Sequence, residues 1–214
     1  MRQRHAMRRR APAVRPSWPG LVLGLLGVCT ALPASAWSLA VAAASSRVFL
    51  HVGTGSANAN NGTIDQVTAN LTPAELLARN PKVMTNSGLQ SNSLSGDNYA
   101  TCPTPSTQVL IGASYRRNGN SQGQAVLNVS APASLVSAAG DTIPINEISW
   151  TVSAPGSSVP GIIPAGTFSG GQQRLASVPP NTFIENCHTF RYANSAIRAA
   201  GTYTGVVTYT LSTP

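Results

Sequence analysis

Gly119-Asn120-Ser121-Gln122-Gly123 fits the pattern G-x-S-x-G, and Asp141 and His188 follow it in the order nucleophile, acid, base. A nucleophilic serine of this kind needs a tight strand-to-helix turn with an oxyanion hole behind the hydroxyl. No helical period follows Ser121. Asn118-Gly119 is a strong hairpin signal, so residues 116–123 (RRNGNSQG) read as a turn between two strands. The motif is short and common in a chain rich in Gly and Ser. No catalytic residue is assigned, and the chain is not expected to be an enzyme.

The remaining chemistry-bearing residues are sparse. Beyond the first 36 positions the histidines are His51 and His188. Glu185 and His188 would meet on a helix but lie on opposite faces of a strand. In strand geometry His188 joins Phe190 and Tyr192 on the core face, as a half-buried, hydrogen-bonded histidine. His51 lies between Leu50 and Val52 in an early strand, and its side is open. Asp65, Asp97, Asp141, Glu147 and Glu185 show no calcium-loop spacing, so no metal and no cofactor are expected. Gly53-Thr54-Gly55 is followed by strand-like residues rather than a helix, which favours a turn over a phosphate cradle. Trp150 reads as the core residue between two sheets rather than a sugar platform. Sequons stand at Asn61, Asn70 and Asn128 and matter only in a glycosylating host.

What must position these residues begins after an export signal. Arg2, Arg4, Arg8, Arg9, Arg10 and Arg15 form a charged head, residues 21–28 (LVLGLLGV) a short apolar centre, and Ala34-Ser35-Ala36 a cleavage site. The apolar run is far below the roughly 20 residues of a spanning helix, and no later segment is apolar enough to cross a bilayer. The arginine triplet lacks the apolar residue that usually follows a twin-arginine pair. Val28 stands where a small residue would precede a lipid-modified Cys29, and cleavage after Ala36 removes Cys29. A second cut, after Ala44, is the alternative. The expected organisation is a removed leader over 1–36, an N-terminal extension over 37–46 and one domain over 47–214. The mature chain is then periplasmic, on the cell surface or extracellular.

The leader carries six of the 14 basic residues, which leaves eight against six acidic ones and a net charge of +2. Arg116-Arg117 is the lone basic cluster and reads as a hairpin tip, so nucleic acid is not an expected partner. Lys82 is the single lysine beside 13 arginines, a trace of a GC-rich, bacterial genome. Cys102 and Cys187 remain as an even pair and, in an oxidising compartment, read as one disulfide closing a loop of about 86 residues.

From Thr107 onward, short alternating runs are punctuated by Gly, Pro, Asn and Ser. Val109, Ile111, Ala113 and Tyr115 share one face. Ala125, Leu127 and Val129 face inward on a return strand, and Ile148, Trp150 and Val152 on another. Two further strands cover 174–178 and 187–192. The last run puts Tyr203, Gly205, Val207, Tyr209 and Leu211 on one face of a continuous strand, with Thr and Val on the other. Such strands, with Pro-rich connections, predict an all-β antiparallel sandwich. Thr72-Pro73-Ala74-Glu75 is a capping box that predicts one short helix, ended by Asn80-Pro81. Residues 86–98 read as a long flexible loop.

The stretch 200–211 (AGTYTGVVTYTL) resembles the closing strand of bacterial secreted immunoglobulin-like domains and the ending of pilin-type and spore-coat-U-type surface subunits. Gly201 stands 14th from the C-terminus, where chaperone–usher pilins carry a glycine. Ser212-Thr213-Pro214 replaces their aromatic ending. The resemblance implies an immunoglobulin-like sandwich and a donor strand, and Trp37, Leu39, Val41 and Ala43 alternate as one. It also implies partners: other copies or related subunits, and an assembly chaperone. The expected function is a non-enzymatic, fimbrial-like surface subunit assembling by strand addition. The alternative is a periplasmic or extracellular module binding glycans or protein through exposed aromatics such as Tyr99.

Overall fold

The computed structural model describes residues 46–53, 65–88, 102–117, 123–154 and 162–214. In chain order the strands are β1 (Ser46–Val52), β2 (Val67–Thr68), β3 (Lys82–Val83), β4 (Thr85–Asn86), β5 (Gln108–Arg117), β6 (Ala125–Ala131) and β7 (Ser134–Ser137). They continue with β8 (Thr142–Pro144), β9 (Ile148–Ser153), β10 (Gly166–Thr167), β11 (Gly171–Val178), β12 (Thr182–Tyr192), β13 (Tyr203–Thr204) and β14 (Thr208–Ser212). One α-helix, α1 (Pro73–Ala78), and a 3-10 turn at Ile145–Glu147 complete the set. The described strand pairings are antiparallel. The fold is all-β and sandwich-like.

Alternation in the sequence becomes burial in the structure. The larger sheet runs β1-β5-β12-β9-β10, with β3 pairing the far end of β12. Three-stranded sheets β11-β6-β14 and β13-β7-β8 accompany it, and β2-β4 forms a small ribbon. Val109, Ile111, Ala113 and Tyr115 of β5, Ile148 and Trp150 of β9, and Ala125, Leu127 and Val129 of β6 meet in one apolar core. The expected inward residues are therefore the inward residues.

The expected hairpin at 116–123 is not there. β5 pairs with β1 and β12, whereas β6 pairs with β11 and β14, so the chain crosses between sheets at this point. Both strands alternate because both line the same core from opposite sides. Alternation does not distinguish a pair within one sheet from a pair facing across the core. Residues 118–122 themselves lie outside the described set.

The expected last strand is broken into β13 and β14. Tyr203 and Thr204 pair with Ser137 and Val136 of β7, and Thr208–Ser212 pairs with β6. β6 and β7 are themselves separated at Pro132-Ala133, where proline withholds a ladder donor. The C-terminal chain bends at the matching point. A Cβ on Gly205 would lie 2.7 Å from Leu135 Cδ2 and 3.2 Å from Pro132 Cγ, so glycine is what admits the close approach.

Helix α1 starts as its sequence dictates. Thr72 Oγ1 accepts from Glu75 N at 3.3 Å, and Glu75 Oε2 accepts from Thr72 N at 2.8 Å. Lys82 donates to Glu75 Oε1. That bond and the cap hold the Glu75 carboxyl down to about 2. The capping charge therefore stabilises fully above about pH 4.5 and is lost as pH falls through about 2. At its other end, Asn194 Nδ2 donates to Glu75 O (2.9 Å) and Asn80 O (3.3 Å), anchoring the helix beyond the end of β12.

Trp150 sets one tight contact in the core. Gly166 stands opposite it in the β9–β10 ladder, and a Cβ there would lie 2.6 Å from Trp150 Cζ2. Gly166→Ala is expected to displace the indole and cost about 1–3 kcal/mol. Urea unfolding followed by tryptophan fluorescence measures this, and an unchanged midpoint would contradict the contact.

Candidate functional site

Two sheet edges face each other on one flank of the sandwich. Among the described residues, β1 is the edge of the larger sheet and β14 the edge of the β11-β6-β14 sheet. The two strands run side by side, and no ladder joins them among the described residues. The core-facing residues of β1 are Val48, Leu50 and Val52, opposite Tyr115, Ala113 and Ile111. Those of the C-terminal segment are Val207, Tyr209 and Leu211.

This flank is covered less well than the centre. Leu50, Val52, Val207, Tyr209 and Leu211 pack on the core but stay only half-buried, and Val48 is 38% exposed. Leu127 and Ile111, one strand further in, are fully buried. Edge strands are normally protected by charge, proline or a bulge. β14 (TYTLS) has no charge and no proline, and Arg198 is the last charged residue of the chain. A regular, neutral edge over a partly open apolar row is chemically suited to accept another strand. Val206, 73% exposed at the bend, extends the apolar surface.

The outer face of the larger sheet holds a second, polar arrangement. His51, Gly112 and Glu185 stand in one row across β1, β5 and β12. His51 is 2% and Glu185 1% exposed. His51 Nε2 lies 2.8 Å from Gly53 O. The Asp65 carboxylate sits where a Cβ on Gly53 or Gly88 would have to go. Asn86 gathers the neighbouring backbone: Nδ2 donates to Gly88 O (2.9 Å) and Gln108 O (3.0 Å), and Oδ1 accepts from Gly88 N at 3.1 Å. Asn86 is thus a buried anchor in a strand, not the start of the expected loop; 89–101 lie outside the described residues. Among the described residues, no group of three His, Cys, Asp or Glu is placed to hold a metal ion.

Sequence reasoning left this row unassigned. The burial of both faces of β5 hides it, because Leu110, Gly112 and Ser114 are as buried as the core-facing set. A glycine in the middle of an alternating strand is the signal that a close neighbour crosses it.

The other expected residues are placed as follows. Cys102 and Cys187 form a disulfide that, with Leu110 and Phe183, makes a small apolar cluster on this outer face. His188 faces the core, as expected, but it is sealed rather than half-buried, and neither ring nitrogen has a hydrogen-bond partner among the described residues. Asp141 is exposed in the turn between β7 and β8, where its N donates to Ser137 Oγ at 3.1 Å. Ser121 lies outside the described residues, as do Trp37, Leu39, Val41, Ala43, Asp97 and Tyr99. Gly201 is exposed ahead of β13. Glu147 is committed to Ser195: Oε2 accepts from Ser195 N at 3.1 Å and Oε1 from the Ser195 hydroxyl, with Arg198 Nη2 at 3.6 Å. Asn128 lies in the middle strand of its sheet and Asn70 is exposed before α1, while Asn61 lies outside the described residues. Among the described residues, no helix is long and apolar enough to cross a membrane.

No protein-family model matches the chain, and no curated protein is similar to it in sequence.

Proposed function

We propose that this protein is an exported, non-enzymatic surface subunit with an immunoglobulin-like sandwich that assembles by strand addition. The observation that carries this reading is the flank between β1 and β14. It pairs an uncharged edge strand with an apolar row that its own chain covers only in part. An added strand gains backbone hydrogen bonds along β14 and buries alternate side chains over Leu50, Val52, Tyr209 and Leu211. The segment 37–44 precedes β1 directly and alternates Trp37, Leu39, Val41 and Ala43, which makes the same segment of a second copy the fitting occupant.

The test is mass spectrometry of the protein from its native envelope, with size analysis before and after mild heating. A mature start at Trp37 and heat-labile multimers are expected. Thr210→Lys, which puts a charge on the exposed side of the edge strand, should reduce the multimers at least about tenfold without unfolding the monomer. A start at Ser45 with a clean monomer overturns the proposal.

A further inference from the structure

We infer that His188 makes the seam between the two sheets acid-labile, so that protonating this one ring drives the sandwich open. β12 is the middle strand of the larger sheet, and His188 stands opposite Val109 on β5 and Val152 on β9. The ring stacks 6.3 Å from Trp150 and lies 6.1 Å from Phe190. Phe168 closes the box, 4.8 Å from Trp150 and 6.1 Å from Phe190. His188 has no exposed surface, and both ring nitrogens lack partners among the described residues.

Among the described residues no charge faces the ring, and burial is the one influence on it. Glu185 and Arg191 of β12 point to the other side of the sheet. β5 presents Val109, Ile111, Ala113 and Tyr115, and β9 presents Ile148, Trp150 and Val152. The opposite sheet presents Ala125, Leu127 and Val129 of β6, Val178 of β11, and Tyr209 and Leu211 of β14. The titratable side chains packed on this core are the phenols of Tyr115, Tyr192, Tyr203 and Tyr209, with Glu147 and Arg198 beside Tyr192 at the end of β12; a phenol is neutral in acid. An imidazolium here would be a buried cation with two unanswered donors, which is costly enough that the chain opens to hydrate it.

Burial alone pushes the His188 imidazole down to about 3 from its ordinary 6.5. The unfolded chain therefore binds a proton that the folded chain refuses. Stability is full above about pH 6.5 and is lost progressively as pH falls toward about 3. Glu75 acts in a lower window, from about 4.5 down to about 2, and on the helix rather than the seam.

The experiment follows near-UV circular dichroism and tryptophan fluorescence of the purified protein from about pH 7 to about pH 2.5, for the native chain, His188→Leu and His188→Gln. The native chain should lose its tertiary signal at least about one pH unit above either variant. Coincident acid midpoints would overturn the inference. Glutamine is polar and similar in size but does not titrate, so it tests the same point if the leucine chain fails to fold. Imidazole NMR of the native chain needs no variant. A His188 ring that titrates near its ordinary value in the folded protein would also overturn the inference.

Discussion

Removing the Cys102–Cys187 bridge is expected to lower stability by about 4–5 kcal/mol, the largest single effect in this chain. The two cysteines are 85 residues apart, so the bridge restricts a long loop of the unfolded chain. It also joins the segment entering β5 to the middle of β12, where Cys187 lies opposite Leu110 and Ser153. Cys187 is fully buried and Cys102 nearly so, with Leu110 and Phe183 packed around them. Reductant should therefore act slowly on the folded protein and quickly once the outer face opens. In thermal unfolding, the reduced protein or a Cys102→Ala/Cys187→Ala variant should melt roughly 10–20 °C lower. Reductant should leave the double variant unchanged. Equal melting temperatures for oxidised and reduced protein would show that the bridge contributes nothing.

Trp150→Ala is expected to cost about 3–5 kcal/mol, on the order of a 2 M fall in the urea midpoint. The indole is buried at the crossing of several elements. It faces Phe190 on β12, packs 4.8 Å from Phe168, and covers Gly166 on β10. Its Nε1 also donates to Pro164 O at 2.9 Å. Trp150→Phe separates the two contributions. It keeps an aromatic ring in the box but leaves Pro164 O without that donor, a loss of about 1–2 kcal/mol. Trp150→Phe should therefore retain more than half of the stability that alanine removes. If both variants were equally damaging, the hydrogen bond rather than the packing would hold this corner.

The expectations that succeeded were local or statistical. The capping box at Thr72 and Glu75 forms because both partners lie within one helical turn, and nothing distant can alter their reach. Val109, Ile111, Ala113 and Tyr115 are buried together because their period matches the pleat of any strand. The cysteine pair was legible because the expected mature chain offers no other partner for either thiol.

The misreadings share one cause. The 116–123 segment carries hairpin residues, yet β5 and β6 join different sheets. The closing run alternates without interruption from Tyr203 to Leu211, yet it divides between β7 and β6 at Gly205, which lies against Leu135 of β7 and Pro132 in the break between those strands. His188 looked like a half-exposed, hydrogen-bonded histidine, because a sequence does not reveal that an aromatic box seals the ring. His51 and Glu185 became neighbours across Gly112 only when β1 and β12 paired on either side of β5, more than 130 residues apart in the chain.

The sequence alone determined the class of fold, the inward face of the long strands, the single capped helix and the cross-link. Each depends on residue type and short-range period. Tertiary structure decided which strands pair, where the closing strand bends, and which polar groups are sealed inside. Every antiparallel strand offers the same backbone ladder, so partner choice rests on how the whole set of side chains fills one core. Among the described residues, that choice leaves β1 and β14 as facing edges and places an unpartnered imidazole in the seam between the sheets.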